Sequence, residues 1–521
     1  MLFGIERFAY VLLLITGFVS GTLYNSQYDA WPFLSANRAI ALRTQRDISK
    51  SSLITYDVVT GVNLTTVIFQ SLGYNDSSFT DITDLLNVGI QALSLDLYYN
   101  EYTKNWSLCP YKAVNSNSLA TQCGNASTFN LASIASIVDS FLLDTDSILN
   151  TNMFYVLLNL NSMVDHESSN LSGVHRLGKI FKNITNLITP EMIHTSKLPT
   201  IGNLLFTENI RLSVVIVENN MPANTSYDLS SDLDTVFIAS DLMEASEYQD
   251  VQGNTLNPLP MLYEPFDLQN TYNSSDSNQT KFRFLYETPD SQFTLSEFHT
   301  IISSGYSQII SRSFSNLSDI SDFLDNSLWS WRSGQPPFVG SIEGNNGEII
   351  EVGKNAGRCA VVTKLGWKAT SCALKYRSMC QNSNHDAEYV ITDDTSNYRS
   401  AAEKCYELNE TYVVAVPYTA GEQSKMTDMI SGDDDGVWIN INSISSANCW
   451  VQGVNTVCPY QKTISKRIFI KMITPGSVVS FVLVLLLIAF QFNRVPVHKN
   501  RRHWRRLMND RLAGEFEGVA S

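Results

Sequence analysis

Residues 81–100, DITDLLNVGIQALSLDLYYN, place a helix-type segment directly before a strand-type segment. The polar and apolar mixture of Phe79–Val88 predicts a helix, and the nearly continuous apolar run Ala92–Tyr98 (ALSLDLY) predicts a buried strand. Strands of this continuous type are typical of a parallel sheet that is covered on both faces. A helix that leads into such a strand is the repeating unit of α/β folds, so the stretch predicts that fold class.

The same alternation continues along the chain to about residue 314. Five more β-branched or aromatic runs predict buried strands: Met153–Leu160, Leu212–Val217, Thr235–Ala239, Phe282–Tyr286 and Gln308–Phe314. Candidate helices between them include Leu131–Leu142 and Leu295–Ser303. Six strands over roughly 300 residues fit a (β/α)8, TIM-barrel-like domain with one or two strands unrecognised. An open doubly wound sheet is the alternative, and no glycine-rich phosphate loop supports it.

The opening stretch also resembles the second-strand region of phosphatidylinositol-phospholipase-type barrels, in which an acidic helix leads into a GIR-x-LDLD-like strand. The resemblance implies the barrel fold and, in active enzymes, two histidines that act as base and acid on a phosphodiester. The first should precede this stretch, but the chain has no histidine before His166. Gln91 stands where that family has arginine, and none of His166, His175, His194 and His299 ends a predicted strand. We therefore predict a catalytically silent barrel.

Four carboxylates end or follow predicted strands, where the active sites of barrels lie: Asp96, Glu218, Asp241 and Glu287. Glu218 and Glu287 are candidates for an acid/base pair of the kind that glycosidases use. The alternative is that they are ordinary polar strand ends in a chain rich in acidic residues. We expect the alternative, so no catalytic residue and no cofactor is assigned, and these four remain candidate pocket residues.

A second apolar signal lies near the C-terminus. Met472–Phe492, MITPGSVVSFVLVLLLIAFQF, contains no charged residue. A helix rises about 1.5 Å per residue, so roughly twenty apolar residues cross a hydrocarbon core about 30 Å thick. The tail beyond the span is basic, with Lys499, Arg501, Arg502, Arg505, Arg506 and Arg511, although Lys466, Arg467 and Lys471 precede the span. The pattern predicts one transmembrane helix with the tail in the cytosol.

The N-terminus predicts a secretory signal peptide. Arg7 precedes the apolar run Phe8–Phe18, and Val19, Ser20 and Gly21 offer small residues for cleavage. A single-pass type I protein of the secretory pathway follows, in the endoplasmic reticulum, the vacuole or the cell surface, with its bulk luminal or extracellular. We divide it into a signal peptide 1–21, a barrel domain 22–326, a cysteine-rich domain 327–465, a transmembrane helix 472–492 and a tail 493–521.

Sequons and cysteines both lie between the two apolar segments. Eleven N-x-S/T sequons predict a glycoprotein: Asn63, Asn75, Asn105, Asn125, Asn170, Asn183, Asn224, Asn273, Asn278, Asn316 and Asn409. The 8 cysteines are an even number in an oxidising compartment, which predicts four disulfides: Cys109, Cys123, Cys359, Cys372, Cys380, Cys405, Cys449 and Cys458. No CxxC or Cys/His cluster has ligand spacing, so no metal site is predicted.

The charge distribution argues against contact with nucleic acid. The whole chain has a formal net charge of −15. The tail from Arg494 has seven basic and three acidic residues, a net +4, so the remainder carries −19. Binding DNA by release of counterions needs a basic face, which an acidic domain lacks.

The cysteine-rich region resembles a C-type lectin-like domain with its halves in reversed order. WSWRSGQPPF (329–338) and the cysteines up to Cys380 resemble the second half, whereas YRSAAEKC (398–405) and VWIN (437–440) resemble the first. One permuted domain or two degenerate copies would explain this order. A single permuted domain implies the pairs Cys359–Cys372, Cys380–Cys405, Cys449–Cys458 and, in the barrel, Cys109–Cys123. Six cysteines alone allow fifteen pairings, which sequence leaves open.

Calcium-binding lectins of this type use Glu-Pro-Asn and Trp-Asn-Asp sequences. Gln335-Pro336-Pro337 and Trp367-Lys368-Ala369 stand at the matching places here. Calcium takes about six to eight oxygen ligands, and a lysine ammonium offers none, so the site should be lost. The run 433–435, three aspartates, is interpreted as a solvated loop. The remaining role is contact with a luminal protein or glycan partner.

The chain as a whole resembles the sixth-named family of fungal maintenance of telomere capping proteins. The residues that carry this resemblance are VWININSISSANCWVQGVNTVCPYQKTISKR (437–467), the apolar span and the end of the tail (500–521). The resemblance implies a single-pass type I membrane glycoprotein with a role in telomere capping, which we expect to be indirect because the luminal bulk would not meet chromatin. The missing histidines of the phospholipase-like barrel lead us to expect a non-enzymatic protein. The alternative function is a luminal hydrolase that acts on glycans or phosphodiesters.

Overall fold

The computed structural model describes residues 34–110, 123, 129–163, 176–193, 199–238, 282–287, 292–303, 305–314, 319–343, 349–383, 385–432, 436–460, 480–488 and 497–516. The chain forms two compact units, Met1–Tyr460 and Gln461–Ser521.

The first part of the larger unit is built on a mostly parallel sheet. Its strands are β1 Thr60–Asn63, β2 Ala92–Asn100, β3 Asn105–Ser107, β4 Phe154–Ser162, β5 Leu187–Ile188, β6 Leu212–Asn219, β7 Phe284–Tyr286 and β8 Ser307–Ile310. Along the sheet the order is β5-β6-β4-β2-β1-β8-β7, and β3 pairs with β2. Every pair on that path is parallel, and only β3 runs antiparallel to its neighbour. This arrangement confirms a TIM-barrel-like α/β domain.

Helices connect these strands on the outside of the sheet. In the barrel part they are α1 Ala36–Ile48, α2 Gln70–Leu72, α3 Ser78–Asn87, α4 Leu131–Asp144, α5 Leu177–Phe181, α6 Pro190–Ile193, α7 Ile201–Asn203, α8 Leu295–Ser303 and α9 Asp319–Asp325. The predicted helices at 79–88, 131–142 and 295–303 are confirmed with small changes of boundary. Two of the long helices have a side-chain N-cap: Ser35 accepts a hydrogen bond from the backbone N–H of Arg38, and Asn130 from that of Ser133.

Strand β1 is central to the sheet, yet its sequence, TGVN, does not predict a strand. Gly61 explains why the sequence there departs from the β-branched pattern. A Cβ atom on Gly61 would lie 2.6 Å from the Cβ of Ala92 and 2.6 Å from Cδ1 of Ile309. The neighbouring strands therefore leave room only for glycine. The predicted strand Thr235–Ala239 is reduced to one bridge, between Phe237 and Val215.

Aromatic rings fill the space that the inner face of the sheet encloses. Tyr155, Phe237, Phe282 and Phe284 are buried together in one cluster. The rings of Phe237 and Phe282 are 5.3 Å apart in an edge-to-face contact, and Phe282 also contacts Tyr155 at 5.9 Å. Within the described residues no strand pair closes the sheet between its edge strands β5 and β7. The described barrel is thus partial, and aromatic packing joins residues near its two edges.

The cysteine-rich part, residues 327–460, contains a second sheet. Its strands are β9 Gly340–Glu343, β10 Ile349–Val352, β11 Cys359–Thr363, β12 Gly366–Thr370, β13 Arg377–Asn382, β14 His385–Ile391, β15 Tyr412–Val414, β16 Val437–Asn442 and β17 Val451–Gln452. The order is β12-β11-β16-β13-β14, with β15 beside β13 and β17 beside β16, while β9 and β10 form a separate hairpin. Two helices accompany it, α10 Ala401–Leu408 and α11 Ala420–Asp428.

All four disulfide pairs implied by the single permuted domain are present. They are Cys109–Cys123, Cys359–Cys372, Cys380–Cys405 and Cys449–Cys458. The 25-residue separation of Cys380 and Cys405 links strand β13 to helix α10. The pairing shows which segments are tied together; the lectin-like assignment itself stays a prediction.

The barrel part and the cysteine-rich part share one hydrophobic core. Buried residues of both belong to a single cluster that runs from Ile40 to Trp450. Helix α1 lies between them: Arg43 donates to the backbone oxygen of Asn448 at 2.7 Å, and Ser330 donates to Oε1 of Gln45 at 2.9 Å. The boundary proposed near residue 326 stays a prediction, but the two parts pack as one compact unit.

The smaller unit contains helical residues 480–488 and helix α12, Val497–Phe516. Of the apolar segment 472–492, only residues 480–488 are described. No helix in the described part of the chain is both long enough and apolar enough to cross a membrane.

Candidate functional site

Three polar residues lie side by side, from the middle of strand β2 to near the C-terminal end of strand β6. In the strand register, Asp96 of β2 is paired with Asn159 of β4, and Asn159 is paired with Glu218 of β6. A register shift after Leu158 brings Glu218, rather than Val217, opposite Asn159. Paired residues on neighbouring strands point to the same face, so the bulge places an acid–amide–acid row on one face of the sheet. We call this row, with the residues that contact it, the barrel mouth.

Both oxygens of Asp96 accept hydrogen bonds. Oγ1 of Thr65 donates to Oδ2 at 2.6 Å, and Nδ2 of Asn159 donates to Oδ1 at 2.8 Å. Thr65 is itself held by Asn63, whose Oδ1 accepts from the Thr65 backbone N–H at 2.9 Å. Asp96 is therefore a positioned acceptor in the barrel mouth.

Tyr286 lies on the edge strand β7, and its side chain is close to Asp96 and Glu218 of the barrel mouth. Its pKa lies above the usual value, first because the phenol is buried and further because Glu218 and Asp96 are close; the nearby Ser94 hydroxyl acts in the opposite direction. The phenol thus stays protonated near two carboxylates, and its buried hydroxyl has no hydrogen-bond partner among the described residues. Oδ1 of Asn159 is buried and accepts no hydrogen bond from the described residues.

Glu287 is held in a different environment. Its side chain is fully buried and forms an ion pair with Arg312. Its Oε1 accepts from the backbone N–H of Phe293 at 2.9 Å, and its Oε2 from the backbone N–H of Ser311 at 2.9 Å. The guanidinium of Arg312 lies 4.7 Å from the ring centre of Phe323 on the outer helix α9. The carboxylate of Glu287 is therefore used to join strand ends to the helix layer.

The other predicted site residues are placed as follows. Asp241, His166, His175 and His194 lie outside the described residues, as does the run 433–435. His299 lies on helix α8, where burial lowers its pKa. Within the described part of the chain, no group of three or more His, Cys, Asp or Glu residues could hold a metal ion.

Sequence reasoning missed Thr65, Asn159 and Tyr286 as partners of the carboxylates. Asn159 and Tyr286 do follow the rule that singled out Asp96, because each lies at the C-terminal end of a predicted strand. Thr65 follows β1, the strand that the sequence did not predict.

A second, partly buried carboxylate lies near the start of β1. Asp57 accepts a hydrogen bond from the hydroxyl of Tyr155 at 3.1 Å, and burial raises the pKa of Asp57 to about 7, a rise that this hydrogen bond limits. Asp57 borders a cavity of about 20 Å³ that Gln91, Arg46 and Met153 also line. Because β1 is parallel to its neighbours, this cavity is near the N-terminal ends of the strands, where barrels are stabilised rather than active.

In the cysteine-rich part, the two sequences compared with lectin calcium ligands do meet. Oε1 of Gln335 accepts a hydrogen bond from the backbone N–H of Ala369 at 3.0 Å. The Gln335 oxygen is thus occupied by a backbone donor, and Lys368 precedes that donor in strand β12. A calcium site would require the Gln335 oxygen to be free to bind the ion, but here that oxygen accepts a neutral hydrogen bond.

The sequons within the described residues differ in exposure. Asn183, Asn224 and Asn409 are exposed, whereas Asn105 is 6% exposed in strand β3. Asn63 and Asn75 are partly buried. The remaining five sequons lie outside the described residues.

The partial barrel matches a known family. Residues 32–330 match the family model described as the MTC6 partial TIM-barrel domain. The chain belongs to this family. The mostly parallel sheet of the described residues agrees with the TIM-barrel type that the family description gives.

Curated relatives extend the match beyond the barrel. Maintenance of telomere capping protein 6 from Komagataella phaffii is 28% identical over 514 residues, covering 92% of this chain and 95% of the relative. The protein of the same name from Candida albicans strain SC5314 is 28% identical over 621 residues, covering 99% of both. The cysteine-rich part and the tail are therefore included in the similarity.

Solved structures give weaker matches. The calcium-dependent phosphoinositol-specific phospholipase C of a Pseudomonas species is 11% identical, covers 53% of this chain and 90% of its own, and has a TM-score of 0.29. The corresponding enzyme of Streptomyces antibioticus is 13% identical, with 48% and 92% coverage and a TM-score of 0.29. Scores this low assign neither an activity nor a ligand to this chain.

Proposed function

We propose that this protein is a non-enzymatic, single-pass type I membrane glycoprotein whose barrel and cysteine-rich parts bind a partner in the lumen of the secretory pathway. Its relatives are named for the maintenance of telomere capping. An acidic luminal part would not meet chromatin, so a role in telomere capping is indirect, through the state of the secretory pathway or the cell envelope.

The proposal that the protein is not an enzyme rests on the contacts of Glu287. Of the pair considered for acid/base catalysis, Glu287 is bound by Arg312 and by two backbone N–H groups in a buried position. A carboxylate that is buried and engaged by these three donors is closed to a substrate, so it is not placed to transfer a proton to one. This supports a structural role for Glu287 and leaves Glu218 without its catalytic partner.

One observation favours the alternative of a luminal hydrolase. Asp96 and Glu218 are two strands apart in the same row, so their Cα atoms are separated by about 9–10 Å at the usual strand spacing of about 4.8 Å. Inverting glycosidases place their two carboxyl groups about 6.5–9.5 Å apart. The barrel mouth is therefore the place where this alternative should be tested.

The test uses near-isosteric variants in cells that lack the gene. The full-length double variant Asp96→Asn with Glu218→Gln keeps the volume of both side chains and should complement the deletion as well as the unchanged protein does. Tyr286→Phe provides a third variant at the same site, because it removes only a buried hydroxyl. A double variant that reaches the membrane at normal abundance but does not complement would favour the hydrolase or a carboxylate-dependent ligand.

A biochemical measurement separates these two outcomes. Purified full-length protein should not turn over glycan or phosphoinositide substrates above the rate of the double variant. Turnover that the double variant lacks would establish the hydrolase. Failed complementation without turnover would instead assign the barrel mouth to partner binding.

A further inference from the structure

The tail helix α12, VHKNRRHWRRLMNDRLAGEF, combines strong positive charge with exposed apolar side chains. Six of its residues are Lys or Arg and two are Asp or Glu, so it carries a net +4 when histidine is neutral. Four large apolar side chains are exposed: Trp504 by 65%, Leu507 by 43%, Met508 by 63% and Leu512 by 53%. Exposing four such side chains to water is costly unless another apolar phase covers them.

These apolar side chains lie on one face of the helix. With 3.6 residues per turn, successive residues are about 100° apart, so Trp504, Leu507, Met508 and Leu512 fall within an arc of about 140°. Arg502 and Arg506 fall on the opposite side, together with Ala513. Arg501, Arg511 and, near the C-terminal end, Glu515 also lie within the apolar arc, and the long stems of the two arginines allow their charges to reach water from there. The helix is therefore amphipathic and basic.

We propose that α12 lies flat on the anionic surface of the cytosolic membrane leaflet, with Trp504, Leu507, Met508 and Leu512 inserted among the lipids. This rests on the proposed type I topology, which puts the tail on the cytosolic side. A helix with arginines on one face and tryptophan and leucine on the other is the type that binds in the interface plane. Each basic residue near an anionic leaflet raises the binding constant about fivefold.

Position in the chain favours lipid over an acidic protein groove as the occupant. Only residues 493–496 separate the proposed span from the start of the helix at Val497. Four extended residues reach at most about 14 Å, so the helix begins within reach of the headgroups. Lipid is therefore present at high local concentration before any soluble partner arrives.

The test places a spin label on each face of α12 in the full-length protein. All described cysteines are paired in disulfides, so an added cysteine is labelled selectively without reduction. Met508→Cys reports on the apolar face, and Ala513→Cys is the matched control on the polar face of the same helix. Each variant is reconstituted in nanodiscs of phosphatidylcholine, or of phosphatidylcholine with one third phosphatidylserine, and the access of oxygen and of a water-soluble nickel complex is measured.

In the discs with phosphatidylserine, the label at 508 should be accessible to oxygen and shielded from nickel, whereas the label at 513 should stay accessible to nickel. Replacing Arg502, Arg505 and Arg506 by Gln should lower the ratio of inserted to free helix by about fivefold for each arginine. Equal access at 508 and 513 in these discs would overturn the proposal and favour a protein as the occupant of the face.

A separate measurement tests the orientation of the tail independently of its binding to lipid. Protease added to sealed microsomes should remove the tail if it is cytosolic. A protected tail would refute the type I topology, and the nanodisc measurement would still show whether α12 binds an anionic surface.

Discussion

At the residue scale, the buried pair of Glu287 and Arg312 shows how burial changes the role of a charge. Glu287 is fully buried, and Arg312 supplies both charge neutralisation and a stacking contact with Phe323. An ion pair in this setting contributes little net stability compared with apolar residues, but losing one partner leaves an uncompensated charge.

Arg312→Ala should therefore destabilise the protein by about 3–5 kcal/mol, because Glu287 would stay buried without its counter-charge. Urea unfolding of the purified protein measures this change. Lys354→Ala is the matched control: Lys354 is 80% exposed and pairs with exposed Glu351, so its loss should cost about 0–1 kcal/mol. Similar losses in the two variants would contradict the structural role given to Glu287.

Asp57 makes stability depend on pH. Its pKa is raised from 3.8 to about 7 in the folded protein, so the folded state holds a proton that the unfolded state releases between these values. The contribution of Asp57 to stability is therefore largest below about pH 4 and is lost as the pH rises toward 7. Asp57→Asn should flatten the pH dependence of the unfolding free energy in this window. Tyr155→Phe should extend the window upward, because the hydrogen bond that lowers the Asp57 pKa is removed.

A pH series of urea unfolding curves for the three proteins tests this expectation. Parallel curves for the unchanged protein and Asp57→Asn would show that Asp57 titrates as it does in the unfolded chain.

At the element scale, strand β1 depends on one small residue. Gly61 allows β1 to lie between β2 and β8, where Ala92 and Ile309 occupy the space of any larger side chain. Because β1 also carries Asn63, which orients Thr65 toward Asp96, the same strand positions the barrel mouth.

Gly61→Ala should destabilise the protein by about 1–3 kcal/mol through overpacking. The combination with Ala92→Gly should recover part of the loss, since it removes one of the atoms that the new methyl group meets. Thermal unfolding of the single and double variants measures this coupling. If Ala92→Gly only adds to the loss, steric contact with Ala92 is not the reason for glycine at position 61.

At the scale of the whole molecule, the question is which residues face the lumen. Protease treatment of sealed microsomes should remove only the segment after Arg494 and leave a large fragment that endoglycosidase shortens. The one-sided distribution of the eleven sequons and the basic tail lead to this expectation. Digestion of the barrel part in sealed vesicles would show the opposite orientation.

Burial should decide which sequons keep a glycan in the folded protein. Exposed Asn183, Asn224 and Asn409 should be modified, whereas Asn105, at 6% exposure, should not be, because a glycan there would prevent β3 from packing. Peptide mapping after endoglycosidase treatment measures occupancy. Asn105→Gln should leave the electrophoretic mobility unchanged, and Asn409→Gln should increase it.

The sequence by itself determined the features that depend on local pattern. Continuous apolar runs placed β2, β4 and β6, periodicity placed the helices that precede and follow them, and the resemblance to a permuted domain implied all four disulfide pairs. These features could be predicted because burial, helical spacing and short loop closure involve residues that are close in the chain. Strand β1 was not predicted, because its Gly61 breaks the β-branched pattern. That glycine is required by packing against two strands that are distant in the chain.

Only the tertiary structure decided which carboxylates share a site. Asp96 and Glu218 face each other across Asn159 because of the strand register and a bulge at Val217, and neither is visible in a single strand. Glu287 follows its predicted strand as Glu218 does, yet it forms a buried ion pair with Arg312, which packs against Phe323 of the outer helix α9. A side-chain direction alternates with every residue of a strand, so a shift of one position moves a carboxylate from one face to the other.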